Sequence, residues 1–115
     1  MSGAVTLLDE HCVHGAPALD AAALPPLLAQ VPAWHVVDGT RLERRFAFRN
    51  FHETMEFINA MAWIVHREDH HPDILAGYNA CRLQFTTHSA GNALSHNDFI
   101  CAARIDALLA GPKKA

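Results

Sequence analysis

Residues 50–72 constrain the fold more than any other stretch of the chain. Asn50-Phe51-His52-Glu53 has the pattern of a helix start, an N-cap side chain with a glutamate at N3. Phe51, Met55, Ile58, Ala62 and Val65 then recur at alternating steps of four and three residues, one face of a helix. Pro72 marks its end. Phe57, Met61 and Ile64 make a second apolar stripe beside the first. A helix with one wet side needs a single stripe. The first is therefore expected to cover the chain's own sheet, and the second to be buried by another subunit.

The flanks of this helix read as two hairpins. Upstream, Trp34-His35-Val36-Val37 is followed by the turn pair Asp38-Gly39 and a partner run, Arg41 to Phe48. In that run Leu42, Phe46 and Phe48 share a face, with Arg41, Glu43 and Arg45 on the other. Downstream, residues 74–78 and 80–87 form a second pair turning at Asn79. A first helix is expected within Asp20–Gln30, regular only from about Leu24 because Pro25 and Pro26 suit a first turn alone. Ser95-His96-Asn97-Asp98 is a capping box with Leu94 and Phe99 as its hydrophobic staple, and Gly111-Pro112 stops the last helix. The order α-β-β-α-β-β-α predicts an α+β fold, a four-stranded antiparallel sheet with three helices packed on one face. Residues 20–111 would form this domain and residues 1–19 a mobile or loosely docked N-terminal arm.

Composition excludes several functional classes. A chain of 115 residues, half of them apolar, can bury one core. Nine Lys and Arg against twelve Asp and Glu, with no basic run beyond Arg44-Arg45 before Lys113-Lys114, give no electrostatic reason to bind nucleic acid or an anionic membrane. No apolar run approaches the roughly 20 residues of a membrane span, and Met1-Ser2-Gly3-Ala4 does not open a signal peptide. Three widely spaced cysteines, Cys12, Cys81 and Cys101, fit a reducing cytoplasm better than a disulfide framework.

The chemistry-bearing stretch is His66-Arg67-Glu68-Asp69-His70-His71-Pro72-Asp73, with Thr86-Thr87-His88 beyond it. Imidazole titrates near neutrality and can give or take a proton there. A hairpin centred between Asn79 and Ala80 would set His71 opposite His88, so His70, His71 and His88 should converge at one end of the sheet. His66, one helical turn before His70, joins them if the helix persists. Three readings stand open: an acid–base site, a zinc site with one open position, or histidines with no chemical role. Against zinc, Glu68 is one residue late for His-Glu-x-x-His. His11, His14, His35, His52 and His96 are assigned no role.

The spaced pattern of His66, His70-His71-Pro72, Tyr78, His88 and Asp98 resembles the signature of the pterin-4a-carbinolamine dehydratases. The resemblance extends to Trp34, Phe46-Ala47-Phe48-Arg49-Asn50-Phe51, Asn79, Thr87, Gly91 and Asn97-Asp98-Phe99, and spans about residues 20 to 110. It implies a metal-free, cofactor-free cytoplasmic homotetramer and a hydro-lyase. Its substrate is the 4a-hydroxytetrahydropterin left by an aromatic amino-acid hydroxylase, dehydrated to quinonoid dihydropterin. His70, His71 and His88 would be the catalytic set, with His71 mainly holding substrate. His66, Pro72, Asp73, Trp34, Tyr78 and Asp98 would serve substrate binding. Many family members carry glutamate where this chain has His66, and some carry tryptophan where it has Ile74.

For three of these residues the sequence also offers a structural role. Asp98 suits N3 of the capping box, Tyr78 suits packing with one polar handle, and Trp34 suits a core. The competing functional class is a non-catalytic dimerisation or binding partner of another protein, since some relatives play that part; a histidine-ligated metal hydrolase is the third.

Overall fold

A computed structural model describes residues 6–110. Its elements are α1 (Leu24–Leu28), β1 (His35–Val37), β2 (Arg41–Ala47), α2 (Phe51–Glu68), β3 (Asp73–Ala76), β4 (Ala80–Phe85) and α3 (His96–Ala110). The strands form one antiparallel sheet in the order β1-β2-β4-β3. This is the α+β architecture expected from the sequence. The Gly111-Pro112 stop lies outside the described residues, as do Met1-Ser2-Gly3-Ala4 and Lys113-Lys114.

Local chemistry explains the main boundaries. The β1–β2 turn places Asp38 and Gly39 at positive φ, 55° and 71°, the conformation that Asp-Gly tolerates. The Asn50 side chain accepts the Glu53 amide at 2.9 Å, closing the start of α2. At the other end Asp69 adopts the left-handed conformation (φ 53°). Its amide and that of His70 donate to the carbonyls of His66 and Val65, a Schellman closure. Pro72 therefore follows a helix that has already ended.

The core lies between the sheet and its helices. Leu42, Phe46, Cys81, Leu83 and Phe85 point inward from β2 and β4 to meet Leu27, Val31, Trp34, Phe57, Met61, Val65, Phe99, Ile100 and Ile105. Burial raises the Cys81 thiol above its ordinary pKa. The hydrophobic staple holds, with Leu94 and Phe99 both buried.

The two stripes of α2 are assigned differently from expectation. Phe57, Met61 and Val65, with Thr54, face the chain's own core, and Met61 is fully buried. Phe51 and Ala62 are exposed instead, and Trp63 stands 60% exposed with the Arg67 guanidinium over its ring. The reason is angular. Thr54, Phe57, Met61 and Val65 are spaced three, four and four, as good a helical face as the predicted one, and Phe46 of β2 and Phe48 just beyond it pack on Phe57. Met61 is thus a core residue, and Met61→Glu would unfold the subunit rather than separate subunits.

Two further expectations are corrected. In the second hairpin Leu83, rather than Phe85, stands opposite Ile74, because the turn is Tyr78-Asn79 with the Gly77 amide donating to the Ala80 carbonyl. His88 consequently lies beyond the strand, in a short 3-10 turn (His88–Ala90). The N-terminal arm is also docked on the domain at several points. Leu7 and Ala16 are buried, Ala18 bridges Ser95, and the Leu19 amide donates to the Leu94 carbonyl. Sequence reading missed this because the anchors are side chains of α2 and α3 far away along the chain.

Candidate functional site

The Schellman turn after α2 throws His70 back under the helix, towards the start of α3. There its Nε2 meets Asp98 Oδ1 at 2.6 Å. Asp98 is fully buried, and His70 keeps only 12% of its side-chain surface exposed. The other Asp98 oxygen, Oδ2, accepts the Ser95 amide and the Thr87 hydroxyl, each at 2.9 Å. Thr87 Oγ1 in turn accepts from the Ser95 hydroxyl at 2.6 Å, and Ser95 Oγ accepts the Asn97 amide. Asp98 is therefore both the capping carboxylate and the partner of a histidine. The His70 ring is also stacked on Phe85, 5.7 Å between centroids and 11° between planes.

A carboxylate can only accept, so His70 must donate from Nε2, which leaves Nδ1 as the free nitrogen of the neutral ring. His88 is fixed in the opposite sense. Its Nδ1 donates to Asn92 Oδ1 at 2.6 Å, leaving Nε2. His71 is exposed and makes no hydrogen bond within the described residues. All three line one cavity of about 550 Å³, together with Pro72, Asp73, Asp69, Thr86 and Thr87. That size is ordinary for a small-molecule site.

Not every residue singled out from the sequence meets there. His66 is exposed on the last turn of α2 and does not line the cavity, because the helix ends at Glu68 and reverses before His70 can stack above it. Trp34 is a core residue, 3% exposed, packed on Phe46 and Phe85. Its indole donates to Asp106 Oδ1, which also binds Arg44. Tyr78 sits at the tip of the second hairpin, 66% exposed and stacked on Phe51. Ile74, where some family members carry tryptophan, is half exposed on the edge strand.

The cavity also has a wall that sequence reading did not find, formed by Cys12, Val13, His14 and Gly15 of the arm. Glu68 Oε1 accepts the Cys12 amide at 2.8 Å, and Oε2 meets His11 Nδ1 at 2.9 Å and Arg104 at 3.3 Å. Burial alone would raise the Glu68 pKa; the Cys12 amide, His11 and Arg104 outweigh it and hold the carboxyl below its ordinary value. Asn97 clamps Val13 from both sides, accepting its amide at 3.0 Å and donating to its carbonyl at 2.8 Å. Beneath this wall Cys12 Sγ lies 3.7 Å from Cys101 Sγ. That contact, burial, and the nearby charges of Glu68 and Asp98 push the Cys101 thiol far up. Among the described residues no group of three or more His, Cys, Asp or Glu has metal-holding geometry, and no helix is long and apolar enough to cross a membrane.

A protein of Nitrosomonas eutropha, named "Putative pterin-4-alpha-carbinolamine dehydratase", is 50% identical over 99 residues, covering 85% of this chain and 86% of its own. One of the same name from Legionella pneumophila strain Corby is 50% identical over 102 residues, covering 87% and 89%. Among solved structures, a transcriptional coactivator/pterin dehydratase from Brucella melitensis superposes with a TM-score of 0.74 at 27% identity, over 79% of this chain and 97% of that one. A pterin dehydratase-like protein described as a RuBisCO assembly factor in the alpha-carboxysome shares the fold, with a TM-score of 0.58 at 24% identity, over 70% and 93%. The family model for pterin 4 alpha carbinolamine dehydratase matches residues 17–108, and the chain belongs to that family.

Proposed function

We propose that this protein is a 4a-hydroxytetrahydropterin dehydratase, a hydro-lyase that converts the 4a-carbinolamine to quinonoid dihydropterin and water. The observation that carries the reading is the meeting of His70, His71 and His88 in one cavity, with His70 anchored on the buried Asp98. The elimination needs two proton transfers. An acid protonates the 4a-hydroxyl as the C4a–O bond breaks, and a base takes the proton from the ring nitrogen. The atoms balance as one water lost, with no oxidant or reductant.

His70 and His88 are the acid–base pair in this reading, each with one nitrogen fixed by a neighbour and the other available. His71, which makes no hydrogen bond among the described residues, holds the substrate, and Pro72 and Asp73 shape the same rim. A cytoplasmic homotetramer supplied with substrate by an aromatic amino-acid hydroxylase belongs to the same proposal. Trp63, Leu75 and Leu109 are among the exposed apolar side chains available for its contacts.

The test is the decay of freshly generated 4a-hydroxypterin, followed by stopped flow with and without the protein. His70→Ala or His88→Ala should slow the catalysed rate about 10²–10⁴-fold, the usual share of a general acid or base. His71→Ala should raise KM more than it lowers kcat. Full activity in the His70/His88 double alanine variant would remove the mechanism.

The Brucella relative's description as a coactivator as well as a pterin dehydratase supports a second reading, a binding role with or without catalysis. A wild-type protein that leaves the decay rate unchanged would favour it.

A further inference from the structure

We propose that the N-terminal strap, residues 11–15, is a wall of the substrate site, and that His14 is a substrate-binding residue. The inference rests on the dehydratase reading for the identity of the ligand. The strap itself is defined by geometry.

The strap is tied to the two segments that carry the acid–base machinery. Glu68, which holds the Cys12 amide, lies two residues before His70. Asn97, which clamps Val13 at both its amide and its carbonyl, is the neighbour of Asp98. On the far side Gly15 turns the chain at φ 75° into the buried Ala16. His14 is thus an exposed side chain on a backbone pinned before and after it, and it lines the cavity that also holds His70, His71 and His88.

Burial explains the pinning of Val13 poorly. Val13 is 60% exposed, so the Asn97 clamp is not there to sink an apolar side chain. What the clamp does fix is the path of the next residue along the cavity rim. A small-molecule site gains affinity by enclosing most of its ligand and by placing a few polar groups on rigid backbone. A pterin presents a ring edge of amide-like and amidine-like donors and acceptors. An imidazole, which both donates and accepts, suits that edge whichever tautomer it holds.

Hydrogen bonds made equally to substrate and transition state change KM and leave kcat alone. His14→Ala should therefore raise KM for the carbinolamine about 3–10-fold, the size of one hydrogen bond, with kcat within about twofold of wild type. His14→Asn keeps a donor and an acceptor and should recover at least half of that loss on a logarithmic scale. The same variants should weaken equilibrium binding of 7,8-dihydrobiopterin by the same factor. This ligand should also slow hydrogen exchange at the Cys12 and Val13 amides in the wild type.

If the wild type accelerates dehydration but His14→Ala keeps KM and dihydrobiopterin affinity within twofold, the strap inference fails and the dehydratase reading stands. If the wild type neither accelerates dehydration nor binds dihydrobiopterin, both fall together.

Discussion

The two long helices begin with the same chemical device, put to different uses. At α2, Asn50 caps the helix and Glu53 reaches back to the Arg49 amide and guanidinium at the surface. Those contacts hold the Glu53 carboxyl below its ordinary pKa. At α3, Asp98 reaches back to the Ser95 amide in the same way, but in a fully buried position. Its second oxygen then accepts from His70. A cap in solvent spends its spare lone pairs on water. A buried cap must spend them on protein, and here that requirement orients a histidine. The difference between a structural motif and a functional one is burial, with the motif itself unchanged.

Asp98→Asn is the sharpest way to break this comparison. An amide retains one acceptor oxygen but replaces the other by a donor. It cannot accept from Ser95, Thr87 and His70 in the present arrangement. If the amide oxygen keeps the Ser95 and Thr87 bonds, its NH₂ faces His70 Nε2 and forces the ring into the other tautomer. The expected result is a loss of dehydration of about 10²-fold or more, within the range of one acid–base group. The stability cost should be about 1–3 kcal/mol, that of a buried bond left unmade. Activity above one tenth of wild type in a folded Asp98→Asn protein would show that the tautomer of His70 does not matter.

Asn50→Ala tests the other half. It removes the side-chain acceptor for the Glu53 amide, and N-cap replacements of this kind cost about 1 kcal/mol. The chevron or the denaturant midpoint should report that loss, while kcat and KM stay at wild-type values. A change in either kinetic constant would mean that the start of α2 communicates with the cavity.

How much of this could be read from the sequence follows the same division. The caps at Asn50 and Ser95, the Asp38-Gly39 hairpin and the order of elements are local patterns, and each was legible within a few residues. The convergence of His70, His71 and His88 was legible because a hairpin must bring its two outer ends together, even though Leu83 and not Phe85 came to face Ile74. What could not be read was long range. The choice between the faces of α2 is made by Phe46 on β2 and Phe48 just beyond it, which pack on Phe57. The fate of His66 was decided by Asp69, a non-glycine residue that takes the left-handed conformation one position after the helix ends. Asp gave no stronger signal for that than for continuing the turn. The docking of the strap depends on Glu68 and Asn97, more than 50 and 80 positions away respectively.

The smallest expected effect concerns that strap, held by a third helix-end carboxylate. Glu68 lies at the C-terminus of α2, and its pKa is lowered in the folded protein by the Cys12 amide, His11 and Arg104 against the opposing push of burial. A group whose folded pKa is depressed contributes stability that is complete above its unfolded pKa and is lost as pH falls through the folded one. For a glutamate the unfolded value is about 4.3. The strap should therefore stay fully anchored from neutrality down to about pH 5, and begin to loosen only below the ordinary carboxylate range. Hydrogen exchange at the Cys12 amide, corrected for its intrinsic pH dependence, should show constant protection across pH 5–8. Glu68→Gln should lower that protection modestly and remove its acid limb, since the amide cannot be protonated there. Protection that changes between pH 8 and 6 would show that the Glu68 carboxylate does not set the latch.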